Sequence, residues 1–390
     1  MRILLLTHPD FLNSSSMPRY ARMLSEGMRA RGYEVKKVTA TPFFFKLPLP
    51  GSFKKWLGYM DQYLVFPVLF KLKKSEANTL YVFADQALGP WVPLVKNKPH
   101  VIHCHDFLAQ RSALGELAEN KTGKTGRWYQ EFIRRGYQQG KYFISISKKS
   151  QQDLHQFLTE KPLLSEVVYN GLNQPFNPDE PYKVREMLSK HLNIDLSSGY
   201  LLHVGGNQFY KNRLGVLEIV SAYRMKTGNL VPLVMVGSSP TEDLLLMKNQ
   251  MSGNSTVYFF SGLSDELVRT LYQGALVMIY PSLEEGFGWP IAEAQASGCP
   301  VITTGKPPMN EVGGDAALYI PRKSSMNMEV FLESGVAALQ EVLGWSEADR
   351  ADFVSKGLLN AKRFDTDFAL QELEAIYNKV FQIYQSNSKH

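Results

Sequence analysis

The sequence predicts an α/β protein made of two doubly wound domains with parallel sheets. Short apolar runs alternate with helix-length amphipathic segments along the chain, as a parallel sheet covered on both faces requires. The alternation comes in two series, the second starting at Tyr200–Val204, with Asn173-Gln174-Pro175-Phe176-Asn177-Pro178-Asp179 reading as the linker. A length of 390 residues and 44% hydrophobic content suffice for two cores.

In the first series Arg2–Thr7 reads as a buried strand, Ser14-Ser15-Ser16 as a polar loop and Met17–Arg31 as a helix stopped by Gly32. Strands are expected at Glu34–Thr39, Leu80–Phe83, His100–Cys104, Tyr142–Ile146 and Val167–Tyr169, and helices at Lys124–Gln139 and Lys148–Phe157. The second series runs through strands at Tyr200–Val204, Val257–Phe260, Leu276–Tyr280 and Pro300–Thr304. It ends in a long amphipathic helix over Asp367–Tyr384. The domain assignment is 1–173, 174–366 and a terminal segment 367–390.

Charge is unevenly divided. Residues 1–172 hold 25 Lys+Arg against 13 Asp+Glu, and residues 173–390 hold 18 against 24. The N-terminal half therefore carries a positive field and points to an anionic partner, an anionic membrane surface or a lipid-phosphate-linked acceptor. Nucleic acid is not expected, because no recognised binding motif appears. Residues 43–74 interleave aromatics with lysines, a composition that suits a membrane interface; the competing reading is a core-packed helical hairpin with a solvated basic face. Two cysteines, Cys104 and Cys299, exclude a disulfide framework. The apolar start is too short for a signal peptide, and no run approaches a transmembrane helix. The expected location is cytoplasmic, with peripheral contact to the inner membrane face.

The segment carrying most chemistry is Pro281-Ser282-Leu283-Glu284-Glu285-Gly286-Phe287-Gly288-Trp289-Pro290-Ile291-Ala292-Glu293. It lies between two apolar strands, so it is the glycine loop of a βαβ unit, where backbone N–H groups approach a ligand closely. Pro290 suits a first helical turn, and Glu293 is expected inside that turn. Read as a plain turn, Glu293 is only a favourable charge near a helix N-terminus. A second constellation, His203-Val204-Gly205-Gly206-Asn207-Gln208-Phe209-Tyr210-Lys211-Asn212-Arg213, joins a strand end, a glycine pair, a cation and a helix start. These are the parts of a diphosphate site, with Lys211 as a point charge and Arg213 either reaching phosphate or bracing the loop.

The glutamate segment resembles the signature of the family 4 retaining glycosyltransferases, which have the GT-B fold of two Rossmann-like domains facing a central cleft. That signature is a Glu, seven residues and a Glu in the frame Pro-Ser-x-x-Glu-Gly-Phe-Gly-x-Pro, and every position matches. The resemblance implies that Glu285 contacts the transferred sugar, that Gly286, Phe287 and Gly288 offer amides to its hydroxyls, and that Glu293 contacts the ribose. It implies diphosphate binding by Gly205, Gly206, Lys211 and Arg213, and reading of the base through the backbone of Gly262 and Leu263. Many members carry Arg before the Lys, where this chain has Tyr210. At the end of the strand Val101-Ile102-His103-Cys104, it makes His105 a catalytic-site residue, with Asp106 orienting or capping; His103 reads as structural. Ser15 and Ser16 stand where members often have a Gly-Gly pair and are acceptor-side candidates. The terminal helix is expected to cross back to the N-terminal domain.

The implied activity moves a sugar, with retention, from a UDP- or GDP-sugar to an acceptor hydroxyl on a glycan, lipid-linked or small molecule, in bacterial polysaccharide, glycan or glycolipid biosynthesis. No cofactor or metal is expected: Asp365-Thr366-Asp367 sits before a helix and reads as a cap. The rivals are a nucleotide-sugar epimerase of the same fold and a non-catalytic sugar-nucleotide-binding protein. A nicotinamide oxidoreductase is disfavoured, because the first strand leads to Thr7-His8-Pro9-Asp10 rather than a glycine fingerprint.

Overall fold

The computed structural model describes residues 1–11, 16–72, 78–172 and 174–387, apart from the side chains of Ser16, Ser52 and Asn387. The chain divides into two compact units, Met1–Asn173 with Thr366–His390, and Gln174–Asp365.

Unit 1 holds a parallel sheet of β1 (Arg2–Leu6), β2 (Glu34–Val38), β3 (Thr79–Phe83), β4 (His100–Cys104), β5 (Tyr142–Ser145) and β6 (Leu164–Val167) in the order β2-β1-β3-β4-β5-β6. Every residue of β3, β4 and β5 is buried, which is why they read as apolar runs rather than alternations. One sheet face is covered by Tyr20, Leu24 and Met28 of the helix Ser16–Ala30 and by Leu370, Leu373 and Tyr377 of the terminal helix Thr366–Asn387. The other packs on Trp91, Ile133, Tyr137 and Phe157. The terminal helix is thus part of unit 1, as is Thr366, whose hydroxyl donates to the Leu172 carbonyl.

Two expectations for this unit are corrected. The sixth strand is Leu164–Val167, not Val167–Tyr169. It is the sheet edge, paired with β5 through Tyr142↔Leu164, and an edge tolerates the polar Ser165 and Glu166 that hid it. Residues 51–72 are no hairpin. The helices Gly51–Met60 and Phe66–Leu72 are joined end to end by a π turn at Asp61–Val65.

Unit 2 holds β7 (Leu201–Val204), β8 (Leu233–Val236), β9 (Val257–Phe260), β10 (Val277–Tyr280), β11 (Val301–Thr304) and β12 (Leu318–Ile320), all parallel, in the order β12-β11-β10-β7-β8-β9. The order reverses between β7 and β10, and in such sheets ligands bind beyond the carboxyl ends of the strands at that switch point. The two loops singled out from sequence leave these two strands: Gly205–Asn212 follows β7 and Pro281–Gly288 follows β10. In unit 1 the reversal falls between β1 and β3.

Candidate active site

In unit 2, Lys211 ends a single turn of 3₁₀ helix, and Asn212 adopts a left-handed φ of 51° before the helix Arg213–Thr227. Asn212 Nδ2 donates to the Pro281 carbonyl at 2.9 Å, and Leu283 N donates to the Tyr210 carbonyl at 2.7 Å. The two switch-point loops are therefore hydrogen-bonded to each other.

Across this seam three side chains close a triangle. Lys211 Nζ donates to Glu285 Oε1 at 2.8 Å and to Tyr280 Oη at 2.6 Å, and Tyr280 Oη donates to Glu285 Oε1 at 2.5 Å. Tyr280 is fully buried and Glu285 is 8% exposed. Burial, and then the Glu285 charge, push the Tyr280 phenol well above its usual pKa, so it stays a donor. Sequence reading placed Lys211 and Glu285 here and missed Tyr280, which looks like one more apolar residue of β10.

Arg213 braces the loop. Its Nη1 donates to the Ser238 carbonyl at 2.9 Å and to Asn207 Oδ1. Its Nε and Nη2 are buried and have no partner among the described residues. Gly205 N donates to the Val236 carbonyl, and Gly237 lies so close that a Cβ there would meet the Gly205 oxygen at 2.0 Å. Behind Gly205, His203 Nδ1 donates to the Ile279 carbonyl at 2.9 Å, and burial, reinforced by Arg213 and Lys211, drives its pKa down to about 3.

Gly288 caps the helix Trp289–Ala296 with φ of 100°, a conformation that L side chains resist. Phe287 is buried edge-on against Phe364, leaving the loop's backbone rather than this ring to face a ligand. Glu293 is the fifth helical residue, in the second turn and not the first. Pro290 occupies the second helical position, in the first turn as expected; the helix starts at Trp289, which carries Glu293 past that turn. Tyr272 Oη donates to Glu293 Oε2 at 3.0 Å, which orients a carboxylate only 9% exposed. Gly262 has φ of 71° with open space around it, and Leu263 is half-buried; Ser264 caps the following helix through Leu267 N.

In unit 1 the carboxyl ends of β1, β3 and β4 deliver His8, Asp85 and His105. His105 is 5% exposed, its Nε2 sits 2.8 Å from the Ala84 carbonyl, and its backbone N donates to Gln86 Oε1 at 2.9 Å. Burial lowers its pKa, with Asp85 opposing, so the ring stays neutral. Asp106 accepts from Leu108 N at 3.1 Å, a capping contact. His103 is locked between Tyr20 Oη (2.8 Å) and Tyr377 Oη (2.7 Å) and is structural. Unforeseen in the sequence is a dyad at the switch point, His8 Nε2 to Asp85 Oδ2 at 2.9 Å, linking residues 77 positions apart. Burial alone would raise the Asp85 carboxyl, but the His8 hydrogen bond and charge outweigh it and hold it below its usual value. Ser15 lies outside the described residues, as does the side chain of Ser16, whose backbone starts the first helix. No group of three or more His, Cys, Asp or Glu suited to a metal ion occurs among the described residues.

This architecture and loop chemistry have relatives. Residues 17–174 match the model of Glycosyltransferase Family 4, and residues 184–329 match that of Glycosyl transferases group 1. The chain belongs to glycosyltransferase family 4 and has the GT-B fold. It is 31% identical over 168 residues to O-antigen chain mannosyltransferase B of Escherichia coli, a match spanning 43% of this chain and 42% of that protein. It is 25% identical over 185 residues to the lipopolysaccharide glucosyltransferase WaaG of E. coli K12, covering 46% and 48%. The matches thus span less than half of these relatives' length. Among solved structures, WaaG superposes with a TM-score of 0.70 at 18% identity, covering 97% of this chain and 99% of that one. HepE of Anabaena, in complex with UDP and glucose, gives 0.69 at 16% identity, covering 97% and 100%.

Proposed function

We propose that this chain transfers a sugar, with retention, from a nucleoside diphosphate sugar to an acceptor hydroxyl, in the assembly of a bacterial polysaccharide, glycan or glycolipid. The observation that carries the reading is the Lys211–Tyr280–Glu285 triangle at the switch point of unit 2. Lys211 places one positive charge where the diphosphate leaves, and the buried spare N–H groups of Arg213 lie behind the same loop. Glu285, held by Tyr280, orients the transferred sugar; Gly286–Gly288 amides hold its hydroxyls; Glu293, steadied by Tyr272, takes the ribose; the Gly262–Leu263 backbone takes the base. The UDP bound by HepE supports a UDP-sugar, with a GDP-sugar as the competing donor.

The acceptor oxygen bonds to the anomeric carbon while the bond from that carbon to the diphosphate oxygen breaks. The electron pair stays on the phosphate, which takes the acceptor proton. No residue acts as a covalent nucleophile in this scheme, and no metal is required. His105 and Asp106 serve the acceptor side. No helix among the described residues is long and apolar enough to cross a membrane, and we place the enzyme in the cytoplasm, peripheral on the inner membrane face.

The test is slow donor hydrolysis with a panel of UDP-, GDP- and ADP-sugars in chelator, with the released sugar's anomer read by NMR. One nucleotide class should be hydrolysed with retained configuration, and Glu285→Gln should abolish release. Turnover of none, or release of the inverted anomer, would overturn the reading.

A further inference from the structure

The helix running from Gly51 to Leu72 is amphipathic the wrong way round for a solvated surface. Its inward side is Leu57, Gly58, Asp61, Gln62 and Phe66. Its outward stripe is Phe53, Trp56, Leu64, Val68 and Leu72, each between 56% and 76% exposed, with Met60 half-buried among them. From Trp56 on, the stripe advances in steps of four. In a regular helix of 3.6 residues per turn each such step drifts by about 40°, so Leu64, Val68 and Leu72 would swing toward the core. The π turn at Asp61–Val65 turns more slowly per residue and takes up roughly half of that drift, and Leu64, Val68 and Leu72 remain 60–76% exposed. The exposed apolar residues therefore run for about 30 Å along the helix.

Asp61, the sole acid between residues 43 and 72, is fully buried and accepts from Phe44 N (2.8 Å) and Phe45 N (2.9 Å). It thereby ties the loop carrying the exposed Phe43, Leu47 and Leu49 to the helix, with Lys54 Nζ donating to the Phe45 and Leu47 carbonyls. The exposed charges of this region are all cations: Lys46, Lys55 and Lys71. Trp128, 67% exposed, extends the same surface through its stack on Phe132, which meets Tyr63 of the π turn edge-on at 5.3 Å.

An apolar stripe of this length, bordered by lysines and tryptophans and free of exposed acid, fits the boundary between lipid headgroups and acyl chains. We infer that helix 51–72 is an interfacial helix that lies in the plane of an anionic lipid bilayer, its stripe in the acyl boundary and Lys46, Lys55 and Lys71 against lipid phosphates. A protein partner of this face would be expected to answer the three cations with acids, whereas a bilayer answers them with lipid phosphates along the whole length of about 30 Å. The inference gives the peripheral location a surface, and it uses no donor-site residue, so it stands or falls apart from the transferase reading.

The test is co-sedimentation of the full chain with phosphatidylcholine vesicles and with vesicles containing 30% phosphatidylglycerol, alongside tryptophan emission. Binding should favour the anionic vesicles by at least tenfold, with a blue shift of emission. Leu64→Gln/Val68→Gln should weaken binding about tenfold. Lys46→Glu/Lys55→Glu/Lys71→Glu should abolish the preference for anionic lipid, each lysine being worth roughly fivefold. Both variants alter exposed side chains and should keep the wild-type melting temperature and nucleotide binding. Equal or negligible binding of wild type to the two vesicles, binding indifferent to both variants, or a stable dimer that the stripe variant splits would overturn it.

Discussion

Replacing Tyr280 by Phe removes one hydroxyl from a fully buried position and keeps the ring. That hydroxyl donates to Glu285 Oε1 at 2.5 Å and accepts from Lys211 Nζ at 2.6 Å. A hydrogen bond to a charged group contributes about 1.5–3 kcal/mol. The Lys211–Glu285 ion pair at 2.8 Å survives the change, so the two bonds do not simply add. A loss of about 2 kcal/mol is expected, which for a unit of this size lowers the melting temperature by about 4–8 °C. If the hydroxyl fixes Glu285 for the transferred sugar, the same energy appears in the transition state as a fall of about 30-fold in kcat. Nucleoside diphosphate affinity should stay within about twofold, because the proposed phosphate contacts, Lys211 and the loop amides, remain in place. Steady-state donor hydrolysis, calorimetric titration of the free nucleotide and a thermal melt measure these three quantities. A lowered melting temperature with unchanged kcat would show that the hydroxyl only holds the fold. Equal losses in affinity and kcat would show that it acts on the phosphates.

Lys211→Met should weaken nucleoside diphosphate binding by roughly 10–150-fold, the worth of one charged contact, and leave binding of the uncharged nucleoside unchanged in the same titration. Gly288→Ala forces a Cβ onto φ of 100° and 3.3 Å from Ile291; it should destabilise the protein by about 1–3 kcal/mol in urea unfolding and impair donor binding through the loop. His103 and His203, buried neutral with pKa about 3, make stability pH-dependent. Both folded values lie below the unfolded one, so below about pH 6.5 the unfolded chain takes up protons that the folded chain refuses. Stability should fall as pH drops from 6.5 toward 3, by on the order of 1 kcal/mol per pH unit per histidine, and be flat in this respect above 7. Urea midpoints at pH 7, 6 and 5 check the slope; a rise on acidification would contradict it.

Much of the fold could be read because its strands are buried on both faces and its loops carry glycine. β4 and the helix Lys148–Phe157 coincide with their expected bounds, and the two glycine segments form the loops after β7 and β10, as strand, loop and helix patterning predicts. The errors share a physical origin in tertiary context. β6 is polar because it is an edge, so hydrophobicity pointed past it. The stripe on helix 51–72 depends on a π turn, which no helical periodicity anticipates. Tyr280 reads as a strand residue until the fold sets its hydroxyl between a lysine and a glutamate from another loop. The His8–Asp85 dyad exists only because β1 and β3 are neighbours in the sheet.

The measurement that bears most directly on the central claim is calorimetric titration of UDP and GDP into wild type and Lys211→Met, in chelator. The account predicts saturable one-site binding of one nucleotide class to wild type, and binding weakened roughly 10–150-fold in the variant, which should still unfold cooperatively but at a lower temperature because Glu285 loses its ion-pair partner. No binding of either nucleotide, or binding unaffected by removal of Lys211, would contradict a donor site at the switch point of unit 2.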